Sequence, residues 1–124
     1  MISKYLPKSP FQILLLILIV LGAIIPWYFN LQYMELNSEF SVQRFLAESF
    51  ANPASSSISS DLGVAAFAGV AFMIVEARRL KMKFIWIYIA SACCVAFAFA
   101  FPLFLYMREV HLAHETQRSL TSSI

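Results

Sequence analysis

The chain has 124 residues, of which 60% are hydrophobic and 13% charged, with a mean hydropathy of +0.74 and a formal net charge of +2. Soluble domains average about 45–50% apolar and about 25% charged residues, and so short a chain has little interior in which to hide the excess, so its apolar surface is expected to face lipid. The small charge, with basic residues gathered at segment boundaries rather than along one stripe, argues against a nucleic-acid partner.

Residues 11–29 predict a first transmembrane helix. Their unbroken apolar run, 13–25, follows Lys4 and Lys8. A secretory signal has the same outline, but no small-x-small cleavage site follows: Gly22 and Ala23 lead into Ile24, Ile25, Pro26, Trp27 and Tyr28. Aromatic residues at that point suit a membrane boundary, so an uncleaved helix is expected. The chain then turns polar and mildly acidic, with Glu35, Glu39 and Glu48 against Arg44. Within it Val42, Phe45, Leu46 and Phe50 recur at helical spacing while Gln43, Arg44 and Glu48 take the other side, which predicts an amphipathic interfacial helix over 38–51 that Pro53 stops. Its acidic polar face disfavours docking to anionic lipid, and it reads as a lid over helix ends.

A second span is expected over 59–75, introduced by serines at 55–60 whose hydroxyls can cap free N–H groups. Its length is near the lower limit for crossing about 30 Å of hydrocarbon. Ala65, Ala68 and Gly69 form a small-residue side that lets helices approach closely. The third span, 84–106, places Ala92, Ala96 and Ala100 four apart beside Phe97, Phe101 and Phe104, with a kink expected where Pro102 cannot donate to the Ala98 carbonyl. Cys93 and Cys94, about 100° apart on a helix, read as packing residues rather than a metal site or a disulfide. Residues 107–124 read as a polar tail. The expected fold is all-α, a single membrane domain over 1–124 with three transmembrane helices and the interfacial helix.

Orientation follows from Lys and Arg placement. Lys4 and Lys8 precede the first span, and Arg78, Arg79, Lys81 and Lys83 follow the second, whereas the long loop and tail hold only Arg44, Arg108 and Arg118. The excess predicts a multi-pass protein of the cell membrane, the inner membrane in a bacterium, with a cytoplasmic N-terminus and an external C-terminus.

Charged residues at membrane depth are the functional candidates. Asp61, in the first turn of the second span, is stabilised by the positive end of the helix dipole. Under this topology Arg108 reaches the same outer level, so an Asp61–Arg108 pair is expected, with Glu109 and Tyr106 beside it and Pro26, Pro102, Trp27 and Tyr28 crowding a pocket. Such a pair would lock two helices or hold a polar head group. Glu76 stands where the dipole disfavours an anion and needs compensation, which Arg79 at i+3 supplies, with Arg78 adjacent, as a cytoplasmic-side anchor. His111, His114 and Glu115 have spacings that a metal would accept but that any polar helix shows, and no metal, cofactor or catalytic group is assigned. No phosphate-cradling glycine loop, nucleophile elbow or zinc-protease pattern occurs.

The landmarks Phe50-Ala51-Asn52-Pro53, Asp61, Glu76-Ala77-Arg78-Arg79, Trp86 and Pro102-Leu103-Phe104-Leu105-Tyr106-Met107-Arg108-Glu109 resemble the family of small bacterial membrane proteins gathered as domain of unknown function 2834. The resemblance covers most of 25–112 and implies a multi-pass membrane protein with no activity to carry over. From the residues, the expected function is a non-catalytic accessory or interaction protein whose small-residue faces pack against a second copy or a membrane protein partner. The alternatives are a binder or carrier of a lipid or small apolar molecule near Asp61 and Arg108, and a membrane-embedded lipid or isoprenoid enzyme with Asp61 or Glu76 as general acid. The nearby arginines disfavour the last, since a general acid needs a raised pKa.

Overall fold

A computed structural model describes residues 2–123, which form a short 3-10 turn (Ile2–Tyr5) and five α-helices: α1 Pro10–Leu36, α2 Val42–Ser49, α3 Pro53–Arg79, α4 Ile85–Cys94 and α5 Phe97–Ser122. The described residues contain no strand. Each helix start has a local cause. Ser9 caps α1, accepting from the Gln12 backbone N–H at 3.2 Å while the Gln12 amide oxygen accepts from Lys8 N–H at 2.8 Å, and Pro10 occupies the first helical position, where its missing donor costs nothing. Asn52 and Ser55 cap α3 reciprocally, with Pro53 again first.

Pro53 opens α3 rather than stopping α2, which already ends at Ser49, and α3 begins six residues before the predicted span because Asn52 is its N-cap, with Ser55 of the serine run completing the box. The serines lie inside α3, where Ser59 donates to the Ser49 carbonyl at 2.9 Å and fastens α2 to α3. At 27 residues each, α1 and α3 are about 40 Å long. Both are long and apolar enough to cross a membrane. Only Gln12, Leu15 and Gly22 of α1 are buried, and only Gly69, Met73, Glu76 and Ala77 of α3, so their apolar flanks are largely exposed.

The expected third span over 84–106 is not one helix. The chain reverses at Val95 and Ala96, the latter fully extended, and the Tyr88 and Phe104 rings meet edge to face at 5.3 Å, which is possible only if α5 folds back along α4. Ser91 prepares the break. Its hydroxyl donates to the Ile87 carbonyl at 2.8 Å, while its own carbonyl accepts from both Val95 and Ala96. Beyond the turn, the Trp27 indole of α1 donates to the Val95 carbonyl at 2.9 Å, satisfying a group that the interrupted helix leaves free. Ala92, Ala96 and Ala100 thus fall on α4, the turn and α5 instead of one face, and the predicted polar tail continues α5 to Ser122.

The reversal also overturns the placement of the chain's ends. α5 runs antiparallel to α1: Ala98 lies against Gly22, Tyr106 and Val110 pack on Leu15, and the Tyr106 hydroxyl donates to the Tyr5 carbonyl. The residues after 106 accordingly lie at the same end of the molecule as Lys4 and Lys8, not at the opposite one. α3 runs parallel to α5, with Phe72 edge-on to Phe101 and Phe104, and Met73, Ala77, Tyr88 and Phe104 form the buried core between α3, α4 and α5. At the other end, Phe45 of α2 meets Tyr33 of α1 edge-on at 5.1 Å. This helix is shorter than the predicted 38–51, because Ser41 caps its start and Phe50 its end.

Three helical glycines have different reasons to be glycine. A Cβ on Gly22 would fall on the Ala98 carbonyl and stand 2.8 Å from Phe99 N, so backbone must move. On Gly69 it would strike the Phe97 ring, 2.6 Å from Cε2, which a side-chain rotation can relieve, and on Gly63 it would meet nothing within 4 Å. Alanine at Gly22 is therefore expected to destabilise the protein by about 1–3 kcal/mol through overpacking, with a smaller loss at Gly69. At Gly63 it should stabilise α3 by about 0.5–1 kcal/mol. Thermal unfolding of the three variants in one detergent checks the order.

Candidate functional site

The end of the molecule that carries Lys4 and Lys8 gathers most of the charged groups. α3 delivers Glu76 there, one turn from its C-terminus, with a side chain only 9% exposed. Arg79, one turn on, donates Nε to Oε2 at 2.9 Å and Nη2 to Oε1 at 2.6 Å. Arg108 of α5 donates Nε to the same Oε1 at 2.8 Å, and its Nη1 lies 3.6 Å from Glu109 Oε1. Both guanidinium groups thus compensate a carboxylate that the helix dipole alone would disfavour.

Two further contacts close this end. α3 finishes in a Schellman motif, with Met82 N–H on the Ala77 carbonyl and Lys81 N–H on the Arg78 carbonyl, and Lys81 takes the left-handed conformation usually left to glycine, φ 57°. The Leu80 carbonyl that this turn exposes lies 2.6 Å from His111 Nε2. Since a carbonyl only accepts, Nε2 carries the hydrogen.

The expected Asp61–Arg108 pair does not exist. Asp61 lies on the exposed face of α3 toward its other end and makes no hydrogen bond or ion pair among the described residues, while Arg108 lies with Glu76. The pocket expected around that pair dissolves for the same reason: Pro26 and Trp27 sit beside the α4–α5 turn, Tyr106 beside Tyr5. The pairing of Glu76 with Arg79 is as the i+3 spacing predicts, Arg78 is exposed with no ion pair among the described residues, and Glu109 flanks Arg108. Arg108 on Glu76, His111 on Leu80 and Tyr106 on Tyr5 escape sequence reasoning because each depends on the α4–α5 reversal. Trp27, expected as a boundary aromatic, instead donates to the Val95 carbonyl at the break, a role its neighbours in sequence do not signal.

Chemically the Glu76 cluster is a clamp. Its carboxylate is engaged by three N–H donors from two arginines, which leaves no proton to give and ties α3 to α5. Replacing Glu76 by Leu strands Arg108, 24% exposed, with only the longer contact to Glu109. That variant should lower the melting temperature by several degrees because Arg108 is left without its main partner, and Arg108→Leu should lower it less, since Glu76 keeps the two bonds from Arg79. The double variant Glu76→Leu/Arg108→Leu should recover at least half of the loss, the signature of direct coupling in a double-mutant cycle read by thermal unfolding.

No curated protein and no solved structure matches the chain. A family match does extend over residues 14–110, from the apolar part of α1 through α2, α3 and α4 to the Arg108 and Val110 turn of α5. It takes in Glu76, Arg79 and Arg108, and the chain belongs to the family described as "Protein of unknown function DUF2834".

Proposed function

We propose that the protein is a non-catalytic integral membrane protein, an accessory or interaction module of the cell membrane, with residues 2–8 and 107–123 both on the cytoplasmic side and α2 on the outer side. The observation that carries this reading is the pairing of exposed apolar flanks with segregated charge. Phe67 is 83% exposed, Val64 73% and Val75 66%, all on α3, and Ile24 and Phe29 of α1 are similarly bare, which is tolerable only in lipid. Of the nine basic residues all but Arg44 belong to segments at the Glu76 end, while Glu35, Glu39, Glu48 and Asp61 lie toward the α2 end. An excess of Lys and Arg marks the cytoplasmic side. The hairpin of α4 and α5 supports the reading too, since α4, about 15 Å long, does not reach across the bilayer alone and its turn is sheltered by α1, α3 and α2.

Of the small-residue side expected on α3, Gly69 is buried against Phe97, whereas the exposed Ala65 and Ala68 leave room for close approach by a second copy or another membrane protein. Fluorescent-protein fusions at either end of the chain should glow, and an alkaline phosphatase insertion between α1 and α2 should be active. Activity of phosphatase fused after Ser122, with no fluorescence there, would overturn the orientation. Native mass measurement in mild detergent should show a dimer or a co-purifying partner, and a strict monomer alone would count against the interaction role.

A second reading, binding of a lipid or other apolar molecule, is favoured by one feature. A cavity of about 550 Å³ lies beneath α2, walled by Phe45, Leu46, Leu62, Ala66, Val95 and Phe97, with Asn30 and Ser49 as polar points. Its size and largely apolar lining suit a small ligand. Protein released from native membranes should carry a bound mass that Ala66→Phe, which fills the space, removes without lowering the melting temperature. A wild-type protein free of any adduct would eliminate this reading.

A further inference from the structure

The cavity at the opposite end has a different character. It measures about 280 Å³ and lies where the N-terminal turn, the α3–α4 connection, α4 and α5 meet. Lys4, Lys83 and His111 line it above a floor that includes Ile87, Met107 and Tyr88, and no acidic side chain does. A neighbouring hollow of about 190 Å³ shares Lys4 with it and adds Lys8 and His114, again without a carboxylate. None of Lys4, Lys8 and Lys83 joins an ion pair among the described residues. Of the acids at this end, Glu76 is held by two arginines and Glu109 by Arg108, and Glu115, which joins no ion pair among the described residues, lines neither hollow.

Tyr88 supplies an independent observation. The residue is 8% exposed, its ring held edge-on by Phe104, yet its hydroxyl makes no hydrogen bond among the described residues and is not sealed from the cavity it lines. A polar group so placed wants a partner inside the cavity. The rim is also held in costly backbone: Lys81 and Phe84, with φ of 57° and 63°, take left-handed conformations without being glycine, which fixes the four-residue turn that presents Lys83.

We propose that this cavity binds the phosphate of an anionic lipid head group, with Lys4 and Lys83 supplying charge and the Tyr88 hydroxyl a hydrogen bond. The phosphate follows from cationic walls with no acid and a buried donor. A lipid as its source follows from the apolar floor and from Phe84, 62% exposed at the same cavity, which an acyl chain would cover. This choice of source rests on the reading that this end meets the cytoplasmic leaflet, where basic pockets between helices take up anionic head groups. The phosphate chemistry does not depend on it.

The test uses full-length protein in nanodiscs of phosphatidylcholine with or without phosphatidylglycerol, and in detergent with inorganic phosphate, read by native mass spectrometry. Phosphatidylglycerol should be retained over phosphatidylcholine, and each of Lys4→Gln and Lys83→Gln should weaken retention about fivefold. Tyr88→Phe, which keeps the ring on Phe104, should weaken it severalfold, whereas Arg78→Gln, which removes a charge outside the cavity, should change little. Inorganic phosphate bound with the same dependence on Lys4, Lys83 and Tyr88, in the absence of lipid retention, would keep the phosphate site and transfer it to a free anion. Retention that falls equally with Arg78→Gln, or fails to respond to Tyr88→Phe in a protein whose melting temperature is unchanged, overturns the site. Reporter fusions separate the two readings: an external location with lipid still retained overturns the orientation alone, and a cytoplasmic location with neither ligand bound overturns the site alone.

Discussion

The close approach of α5 to α1 at Ala98 and Gly22 is the constraint on which the rest of the molecule depends. Pro102 cannot donate to the Ala98 carbonyl, so that carbonyl is left without its helical partner, and it is directed at the one α1 position with no side chain to block it. Trp27, five residues further along α1, donates to the Val95 carbonyl on the other side of the turn. The two contacts reinforce a reversal whose own backbone pairing is confined to the Ser91 and Ala96 carbonyls. In apolar surroundings an unpaired carbonyl costs far more than in water, so a turn buried among helices needs such partners.

Once the reversal is fixed, the ionic layer follows. α5 descends beside α3 and brings Arg108 to Glu76, and the same register brings His111 to the Leu80 carbonyl and Tyr106 to Tyr5. The C-terminal end of α3 would otherwise be a poor place for a carboxylate, since the dipole is negative there and the last carbonyls lack donors. Both deficits are met at once: two guanidiniums face the acid, while a Schellman turn uses the carbonyls of Ala77 and Arg78 and a histidine takes that of Leu80. The apolar core of Met73, Ala77, Tyr88 and Phe104 begins directly above this layer, which shields it from the polar end.

The legible features were those whose physics is local. The long apolar helices, the amphipathic character of 42–50, the proline and serine punctuation and the Glu76–Arg79 pair all depend on residues within a turn or two of one another, and each is present in the fold, though α3 starts earlier and α2 is shorter than predicted. The break at Val95 and Ala96 was illegible for a definite reason. Soluble turns announce themselves by Gly, Pro, Asn or Asp, but a turn that sits among apolar helix walls is built from Cys94, Val95 and Ala96, and its polar needs are met by Trp27 from 68 residues away. The run 84–106 therefore scans as one continuous helix. Every long-range site partner depends on that break, so an unbroken helix sets Arg108 beside Asp61 whereas the folded chain sets it on Glu76.

Charge offers an independent measure of the same error. With an unbroken third span, Arg108 and Arg118 fall at the far end with Arg44, so three of the nine basic residues oppose the excess at the Lys4 end. Folding α5 back leaves only Arg44 there, and Arg44 is neutralised locally by Glu48 at 3.1 Å. A segregation that looked like a majority becomes nearly complete, without moving any residue in the sequence. Of the three acidic residues that join the basic end, Glu76 and Glu109 do so as partners of arginines and Glu115 does not, while Asp61, Glu35 and Glu39, toward the α2 end, have no ion pair among the described residues. The lysines at positions 4, 8 and 83 are thus the surplus at their end, and surplus positive charge beside an apolar floor is what an anionic amphiphile would neutralise.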